Sequence, residues 1–196
     1  MYAIKWLNSQ NADFRDGSIF YARKSIEVSS EYGPLRIEAT GYETIGSCYL
    51  DSKLYDSAYF YLNKSLKIRR LDDNAFGVVS SLSKLGLYYL SVNDYRNAEK
   101  TLVEALEISK TIGTGQLEKF IYEKLSVLYH LTNRHELAYL SLSKHYRIKD
   151  SLLNEKKTKE LTQLSMLYEF DKKQEEQALN NNSLMKLKKL KLNDKK

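Results

Sequence analysis

The chain has 196 residues, of which 42% are hydrophobic and one is a proline, so it can bury a core and is predicted to be mostly helical. Of its net charge of +6, residues 186–196 contribute +5 through six lysines and one aspartate, so the body is nearly neutral at +1. These features exclude a basic nucleic-acid-binding face along the body and an apolar stretch long enough to span a membrane. The single cysteine, Cys48, forms no internal disulfide, and we expect it to be a small buried hydrophobe.

The first part of the chain carries a weak copy of a pattern that becomes clear further on. The stretch Phe20–Ser25 aligns with Phe60–Ser65, 40 residues later. We therefore predict a first helix pair that begins at residue 1, although Trp6 stands where later copies have glycine. Gly33 is expected to end this pair, and Pro34 to occupy the first position of the next helix.

Three clear copies of a helix pair follow at a fixed spacing of 40 residues, which is the signature of a repeat array. The predicted helices cover roughly 35–50 and 55–70, then 75–91 and 95–111, then 116–131 and 134–149. The first helix of each pair repeats a small residue and an aromatic, and the second repeats an aromatic and an alanine. These positions are Gly46, Tyr49, Tyr55 and Ala58, then Gly86, Tyr89, Tyr95 and Ala98, then Ser126, Tyr129 and Ala138.

The small residues of this pattern predict close packing between helices. Glycine in the middle of a helix costs about 1 kcal/mol relative to alanine, so Gly46 and Gly86 are expected where a neighbouring helix approaches closely. The connectors keep the same period, since Gly33, Asp73 and Gly113 lie 40 residues apart. We expect these three residues to let the chain leave right-handed helical geometry.

The C-terminal segment differs from the repeats because residues 151–196 contain neither proline nor glycine. We predict one long helix from Ser151 onward, with Leu161, Leu164 and Tyr168 forming an apolar stripe that covers the last repeat. The predicted domains are therefore 1–150, with about four helix pairs, and 151–196, a capping or linker helix with a basic tail. The tail could contact anionic lipid, although a solvated linker is the favoured interpretation.

The repeated pattern resembles that of the tetratricopeptide repeat. The small residue and aromatic of each first helix, followed by the aromatic, alanine and leucine of each second helix, carry this resemblance over residues 1–150. It implies an all-α, right-handed superhelix of antiparallel helix pairs with a 40-residue period, ending in the long C-terminal helix. It also implies a protein or peptide as ligand and no cofactor.

A second resemblance lies at the end of the repeats. Residues 147–157, followed by Tyr168-Glu169-Phe170, resemble the junction after the last repeat in bacterial sensor proteins that contain tetratricopeptide repeats. In those proteins a helical linker and a transmembrane helix lead to a histidine-kinase or DNA-binding output domain. This resemblance implies that the chain is a fragment of a larger signalling protein.

The concave face formed by the first helices of the pairs is the predicted binding site. The candidate groove residues are Thr44, Ser47, Leu50, Lys84, Leu87, Leu90, Lys124, Val127, His130 and Leu131. Leucine and valine are prominent in this set, which favours an amphipathic helix or an extended apolar peptide as ligand. The alternative is that these residues cover one another or pack against the chain's own C-terminal helix.

No group of residues is typical of catalysis, so we predict that the chain is not an enzyme and binds no metal or cofactor. His130 and His135 are five residues apart, off the spacing that places two metal ligands on one helix face. Gly113-Thr114-Gly115 lacks the following glycine and lysine of a phosphate-binding loop.

The leading hypothesis is a protein- or peptide-binding sensor and scaffold module of a bacterial signal-transduction protein. Ligand in the groove would change the curvature of the superhelix and move the C-terminal helix. The alternative is a stand-alone cytoplasmic adaptor or peptide-responsive regulator whose C-terminal helix folds back. The first hypothesis leaves room for a homodimer through the C-terminal helix. Membrane contact is expected only through the basic tail or a span outside this sequence, and both a periplasm-facing and a cytoplasmic location stay open.

Overall fold

The computed structural model describes the backbone of residues 2–193, and within it the side chains of residues 14–177 except those of Tyr32, Asp171 and Glu175. The helices are α1 (Tyr2–Tyr32), α2 (Leu35–Asp51), α3 (Tyr55–Leu71), α4 (Ala75–Ser91), α5 (Tyr95–Thr111), α6 (Gly115–Leu131) and α7 (His135–Asn193). The predicted all-α fold is confirmed. The side chain of Trp6 and those of the basic tail lie outside the described residues.

The helices after α1 form antiparallel pairs: α2 with α3, α4 with α5, and α6 with α7. Each pair packs on the next through α3 against α4 and α5 against α6. Helix α4 also packs closely on both α2 and α6, whereas α3 and α5 lie further apart and are linked by the exposed ion pair between Arg70 and Glu104. The first helix of each pair therefore belongs to an inner layer and the second to an outer layer, as in a curved solenoid.

A residue in the left-handed conformation joins each consecutive pair of helices from α2 onward. Lys53, Asp73, Asn93, Gly113 and Asn133 have φ angles of 60°, 47°, 59°, 68° and 56°. These residues lie 20 positions apart, so the helices from α2 to α6 have the same length of 17 residues. The predicted role of Asp73 and Gly113 in leaving right-handed geometry is therefore confirmed.

The connection between α1 and α2 is different from these turns. Gly33 has no left-handed φ, but a β-carbon there would lie 2.5 Å from the Cα atom of Ser29. Close approach to the preceding helical turn, and not a special φ angle, is therefore what requires this glycine. Helix α2 begins at Leu35 as predicted, but Pro34 has φ −66° and ψ 134° and precedes the helix instead of occupying its first position.

The glycines of the inner helices lie where the paired outer helix comes close. A β-carbon at Gly46 would lie 2.8 Å from Leu62 Cγ, and one at Gly86 would lie 2.5 Å from Leu102 Cδ2. Both leucines are completely buried. The close packing predicted at these two positions is confirmed, and it locks each outer helix against its inner partner.

The hydrophobic core runs between the two layers from α3 to α6. Three pairs of its buried leucines occupy equivalent positions 40 residues apart: Leu62 and Leu102, Leu66 and Leu106, and Leu85 and Leu125. The other large buried members are Val79, Leu82, Ile121 and Leu128. The core is therefore layered, as expected when each repeat buries its apolar face against its neighbours.

The N-terminal part departs from the prediction. Residues 2–32 form the single helix α1 instead of a helix pair, so the array has three pairs and a preceding helix where about four pairs were predicted. The residue equivalent to the left-handed Lys53 is Asp13, and the backbone passes through it in helical conformation. No proline lies between residues 2 and 32 to interrupt the helix.

The C-terminal part also departs from the prediction, because the last outer helix and the predicted C-terminal helix are one element, α7. The chain divides into two compact units, residues 1–149 and residues 150–196. Within the second unit, Leu161, Leu164 and Tyr168 are exposed. The capping role of this stripe stays a prediction.

Candidate functional site

The predicted groove residues come from the three inner helices and form rows of equivalent positions. The first row is Thr44, Lys84 and Lys124, the second is Ser47, Leu87 and Val127, and the third is Leu50, Leu90 and His130, with Leu131 beside it. Since α4 contacts both α2 and α6, each row crosses neighbouring helices. All of these positions therefore lie on the inner layer, and their assembly into one groove stays a prediction.

The part of the groove that α2 contributes is small and polar. The hydroxyl of Thr44 donates to the carbonyl oxygen of Thr40 at 2.9 Å, so its hydrogen is used within its own helix. Ser47 is half-buried. Leu50 is buried and packs in the core, so its side chain is not available to a ligand.

The part contributed by α4 and α6 is apolar and accessible. Leu87 and Leu90 are half-buried, while Val127 and Leu131 are exposed. His130 is exposed as well, and its ring centroid lies 5.7 Å from that of His135 at the start of α7. These side chains form an apolar strip across two inner helices, which suits the apolar face of a peptide.

The two lysines of the first row have different surroundings. The Lys124 Nζ atom lies 2.7 Å from Glu123 Oε1 and 5.0 Å from the ring centroid of Phe120. The hydrogen bond from Lys124 lowers the pKa of Glu123 below its ordinary value, against the opposing effect of partial burial. Lys84 is half-buried and makes no ion pair with the described residues. Lys84 is therefore the cation that is free to bind a carboxylate of a ligand.

A buried polar network behind the groove was not predicted from the sequence. Arg69 on α3 lies 2.8 Å from Glu43 on α2 and donates to the carbonyl oxygen of Gly77 on α4 at 2.7 Å. Ser80 and Ser81 on α4 donate to the same carboxylate at 2.9 and 3.2 Å. The network therefore ties together three helices from two adjacent repeats.

The residues of this network differ from those at the equivalent positions of the other repeats, and this difference is the feature of the sequence that could have revealed the network. Ser29 and Ser109 occupy the positions equivalent to Arg69, and Leu117 occupies the position equivalent to Gly77. A β-carbon at Gly77 would lie 2.7 Å from Arg69 Cδ, so the glycine makes room for the arginine. The Nε atom of Arg69 is buried without a hydrogen-bond partner in the described structure.

Four tyrosines join the first helix pair, α2–α3, to the second pair, α4–α5, on another part of the surface. The ring centroid of Tyr59 on α3 lies 5.2 Å from that of Tyr88 and 6.2 Å from that of Tyr89, both on α4. Tyr55 meets Tyr88 edge-on at 6.4 Å. Burial and the hydroxyl of Tyr59 raise the pKa of Tyr89 to about 12. The cluster is a packing contact between the two helix pairs.

A cavity of about 390 Å³ lies between α1 and the turn that joins α2 to α3, outside the predicted groove. Arg15, Phe20, Arg23 and Tyr49 are among the residues that line it. Arg15 donates from Nη1 to the hydroxyl of Ser52 at 3.3 Å and from Nε to its neighbour Asp16 at 2.9 Å. These bonds use part of the guanidinium, and the cavity is a gap left between α1 and the first pair.

The remaining candidate chemical groups are ordinary in their surroundings. Cys48 is half-buried, and burial followed by the charge of Asp51 raises the pKa of its thiol, an environment opposite to that of a reactive cysteine. The described residues contain no group of three or more histidine, cysteine or acidic side chains placed to hold a metal ion. None of the helices, over the residues described, is both long and apolar enough to cross a membrane.

Comparison with known proteins identifies a similar family of helical repeats and a similar solved fold. A family model described as tetratricopeptide repeat matches residues 37–111, which lie in α2 through α5. The structure is similar to the crystal structure of BtubC (BKLC) from P. vanneervenii, with a TM-score of 0.62 and 18% sequence identity. The similarity covers 71% of this chain and 58% of that chain, and at this identity it shows the fold alone. No curated protein matches the chain.

These comparisons agree with the consecutive antiparallel helix pairs described above. Tetratricopeptide repeats form a protein-interaction scaffold, which is the class of function that they indicate for this chain. The resemblance of the C-terminal junction to sensor proteins stays a prediction. Residues 37–111 thus match the tetratricopeptide-repeat model, and the chain has an all-helical fold like that of a tetratricopeptide-repeat solenoid, with a long C-terminal helix.

Proposed function

We propose that this chain is a non-catalytic sensor and scaffold module of a bacterial signal-transduction protein that binds a peptide segment in its inner groove. The observation that carries the proposal is the apolar strip of Leu87, Leu90, Val127 and Leu131 beside the half-buried Lys84. Accessible leucine and valine on adjacent inner helices offer a surface for alternating or helically spaced apolar side chains. Lys84 supplies a cation for a carboxylate on the same peptide.

The signalling part of the proposal depends on how the groove is connected to α7. His130 and Leu131 lie at the end of α6, and α7 begins at His135 after the left-handed Asn133. A ligand that contacts the end of α6 would therefore bias the packing of α6 on the first turns of α7. The resemblance of residues 147–157 to a sensor junction supports this direction of signal flow.

Binding can be tested with synthetic peptides that carry apolar residues at helical or alternating spacing, in acidic and basic versions. Fluorescence anisotropy is measured with the full chain and with the variants Val127→Asp and Lys84→Glu. We expect acidic apolar peptides to bind, and each substitution to weaken that binding by about tenfold, which corresponds to about 1.4 kcal/mol.

The matched control is Lys100→Glu, which makes the same charge change at an exposed position on the outer helix α5. This variant is expected to bind the acidic peptides with nearly the affinity of the unmodified chain. Equal binding to the unmodified chain and to Val127→Asp and Lys84→Glu would refute a groove site, as would the absence of binding to every peptide.

A further inference from the structure

The first turns of α7 expose a face that is buried in the other outer helices. Leu62 on α3 and Leu102 on α5 are both 0% exposed, whereas the equivalent Leu142 is 40% exposed. Leu66 and Leu106 are 7% and 8% exposed, whereas the equivalent Tyr146 is 52% exposed. The register of the repeats therefore shows that this part of α7 lacks the helix that covers α3 and α5.

The array itself shows what kind of helix covers such a face. The inner helix of the next repeat packs there, as Tyr59 of α3 does against Tyr88 and Tyr89 of α4. In α4 and α6 the covering segments are Leu85–Tyr89 and Leu125–Tyr129, with sequences Leu-Gly-Leu-Tyr-Tyr and Leu-Ser-Val-Leu-Tyr. A segment that completes the last repeat is therefore expected to have a leucine, then a small residue, then a tyrosine three positions after it.

The second unit contains such a segment. Residues 164–168 read Leu-Ser-Met-Leu-Tyr and match Leu125–Tyr129 at every position except the third, with a spacing of 39 residues. In α6, Leu125 and Leu128 are buried, yet the equivalent Leu164 and Leu167 are 64% and 57% exposed. The chain therefore carries a fourth inner-helix sequence, after those of α2, α4 and α6, and its packing positions are exposed in the described structure.

The local sequence explains why this segment does not start a new inner helix in its own chain. The turns of the array use left-handed residues at every twentieth position from Lys53 to Asn133. The next position is Leu153, and a leucine disfavours the left-handed conformation. Residue 153 is accordingly helical, and α7 continues to Asn193 without a turn.

We infer that two copies of this chain exchange these segments. Residues 164–168 of each copy pack, as an inner helix, against the α7 face around Tyr139, Leu142 and Tyr146 of the other copy. The exchange is reciprocal and two-fold symmetric, so each copy both supplies and receives a segment. The contact completes the last repeat in trans and does not depend on the proposed groove ligand.

Dimerisation is measured by light scattering on the full chain over a dilution series. We expect a mass of twice 22.8 kDa, and a dimer at least tenfold weaker in Leu164→Asp. The matched control is Met166→Asp, because Met166 is 67% exposed and corresponds to Val127, which is also exposed in α6. Met166→Asp is expected to dimerise as the unmodified chain does. A monomer throughout, or equal loss in both variants, would overturn the inference.

Mixing two defective variants separates segment exchange from any other dimer. Leu164→Asp damages the segment and Tyr146→Asp damages the receiving face, so each alone is expected to be monomeric at concentrations where the unmodified chain is still a dimer. A mixture restores one intact contact, between the segment of the Tyr146→Asp chain and the face of the Leu164→Asp chain. We expect a heterodimer in the mixture, and its absence would overturn the exchange.

Circular dichroism verifies that each variant keeps its helices. If Tyr146→Asp does not fold, Tyr139→Asp replaces it, because Tyr139 is 72% exposed and lies on the same face.

Discussion

At the scale of single residues, the inner-helix glycines decide how closely the two layers approach. Leu102 is enclosed on all sides, so it has no room to move away from a methyl group on the facing position of α4. Glycine also weakens a helix, by about 1 kcal/mol relative to alanine. Alanine in place of Gly86 would therefore stabilise the helix but crowd Leu102. Because Leu102 cannot move away, the cost of crowding is the larger of the two effects.

The substitution Gly86→Ala is predicted to destabilise the protein by about 1–3 kcal/mol, because overpacking outweighs the gain in helix propensity. Gly17→Ala is the matched control, since nothing lies within 4 Å of a β-carbon at that helical position. This control is expected to be stabilising by up to about 1 kcal/mol. The measurement is the free energy of unfolding in urea, and the same sign for both variants would contradict the prediction.

Tyr89 provides a prediction about pH. Its pKa is raised from 10.0 to about 12, first by burial and then by the Tyr59 hydroxyl. The folded state therefore favours the protonated phenol, and this contribution to stability is complete below pH 10 and is lost as the pH rises towards 12. We expect the stability of Tyr89→Phe to fall less steeply with pH over this window than that of the unmodified chain.

The check is urea unfolding of both proteins at a series of alkaline pH values. Tyr59→Phe offers a second test, since removal of its hydroxyl is expected to lower the pKa of Tyr89. The titration of Tyr89 is followed by the ultraviolet absorbance of tyrosinate. The absorbance of the Tyr89→Phe variant is subtracted at each pH to isolate the signal of Tyr89. Parallel stability curves for the unmodified chain and Tyr89→Phe would contradict the assignment.

At the scale of helices, the Arg69 network holds α2, α3 and α4 in one register. The Arg69 side chain is only 7% exposed, whereas the side chain of the next residue, Arg70, is 53% exposed and pairs with Glu104 on α5. Breaking a buried pair leaves an uncompensated charge, while an exposed pair contributes little. Arg69 and Arg70 are therefore expected to contribute very differently to the free energy of unfolding.

We predict that Arg69→Ala destabilises the protein by about 3–5 kcal/mol. Arg70→Ala serves as the control and is expected to cost less than about 1 kcal/mol. The double variant Glu43→Gln with Arg69→Met should be less destabilised than Arg69→Ala, because it removes the unpaired charge. Equal unfolding free energies for the two alanine variants would show that the network contributes no more than a surface pair.

The sequence predicted the helices from α2 to α6 within about two residues, because helical period, turn residues and repeat period all agree there. It did not predict the single helix α1 or the continuation of α7, since both depend on turns that do not form at Asp13 and Leu153. The binding groove stays a prediction, in which Leu50 is buried, and the Glu43–Arg69 pair was missed. A repeat pattern predicts the features that all copies share, and it does not predict contacts made by residues that occur in one copy only.

At the scale of the whole molecule, stability is expected to be uneven along the array. Helices α4 and α5 have a neighbouring helix pair on both sides and contribute many of the core residues, among them Leu82, Leu85 and Leu102. The side chains of α7 from residue 153 to 170 are exposed. In a repeat array, each helix is stabilised mainly by its nearest neighbours.

We therefore predict that amide hydrogen exchange is slowest in α4 and α5 and markedly faster in residues 153–170. All of these residues have helical backbone hydrogen bonds, so the difference reports on packing and not on secondary structure. Mass spectrometry of peptic fragments resolves the two regions. The exchange is measured on protein diluted to monomer, because the dimer inferred above would protect part of residues 153–170. Uniform protection from α4 to residue 170 in the monomer would contradict the prediction.

The buried arginine also limits how this array can change its length. Removal of residues 74–113 would join two left-handed turns and preserve the spacing of the helices. It would also set Arg69 against Leu117 in place of Gly77, and Glu43 against Phe120 in place of Ser80. The repeats are thus interchangeable in backbone geometry but not in side-chain chemistry. A deletion by recombination that kept the helix spacing would leave the Glu43–Arg69 pair buried against apolar residues.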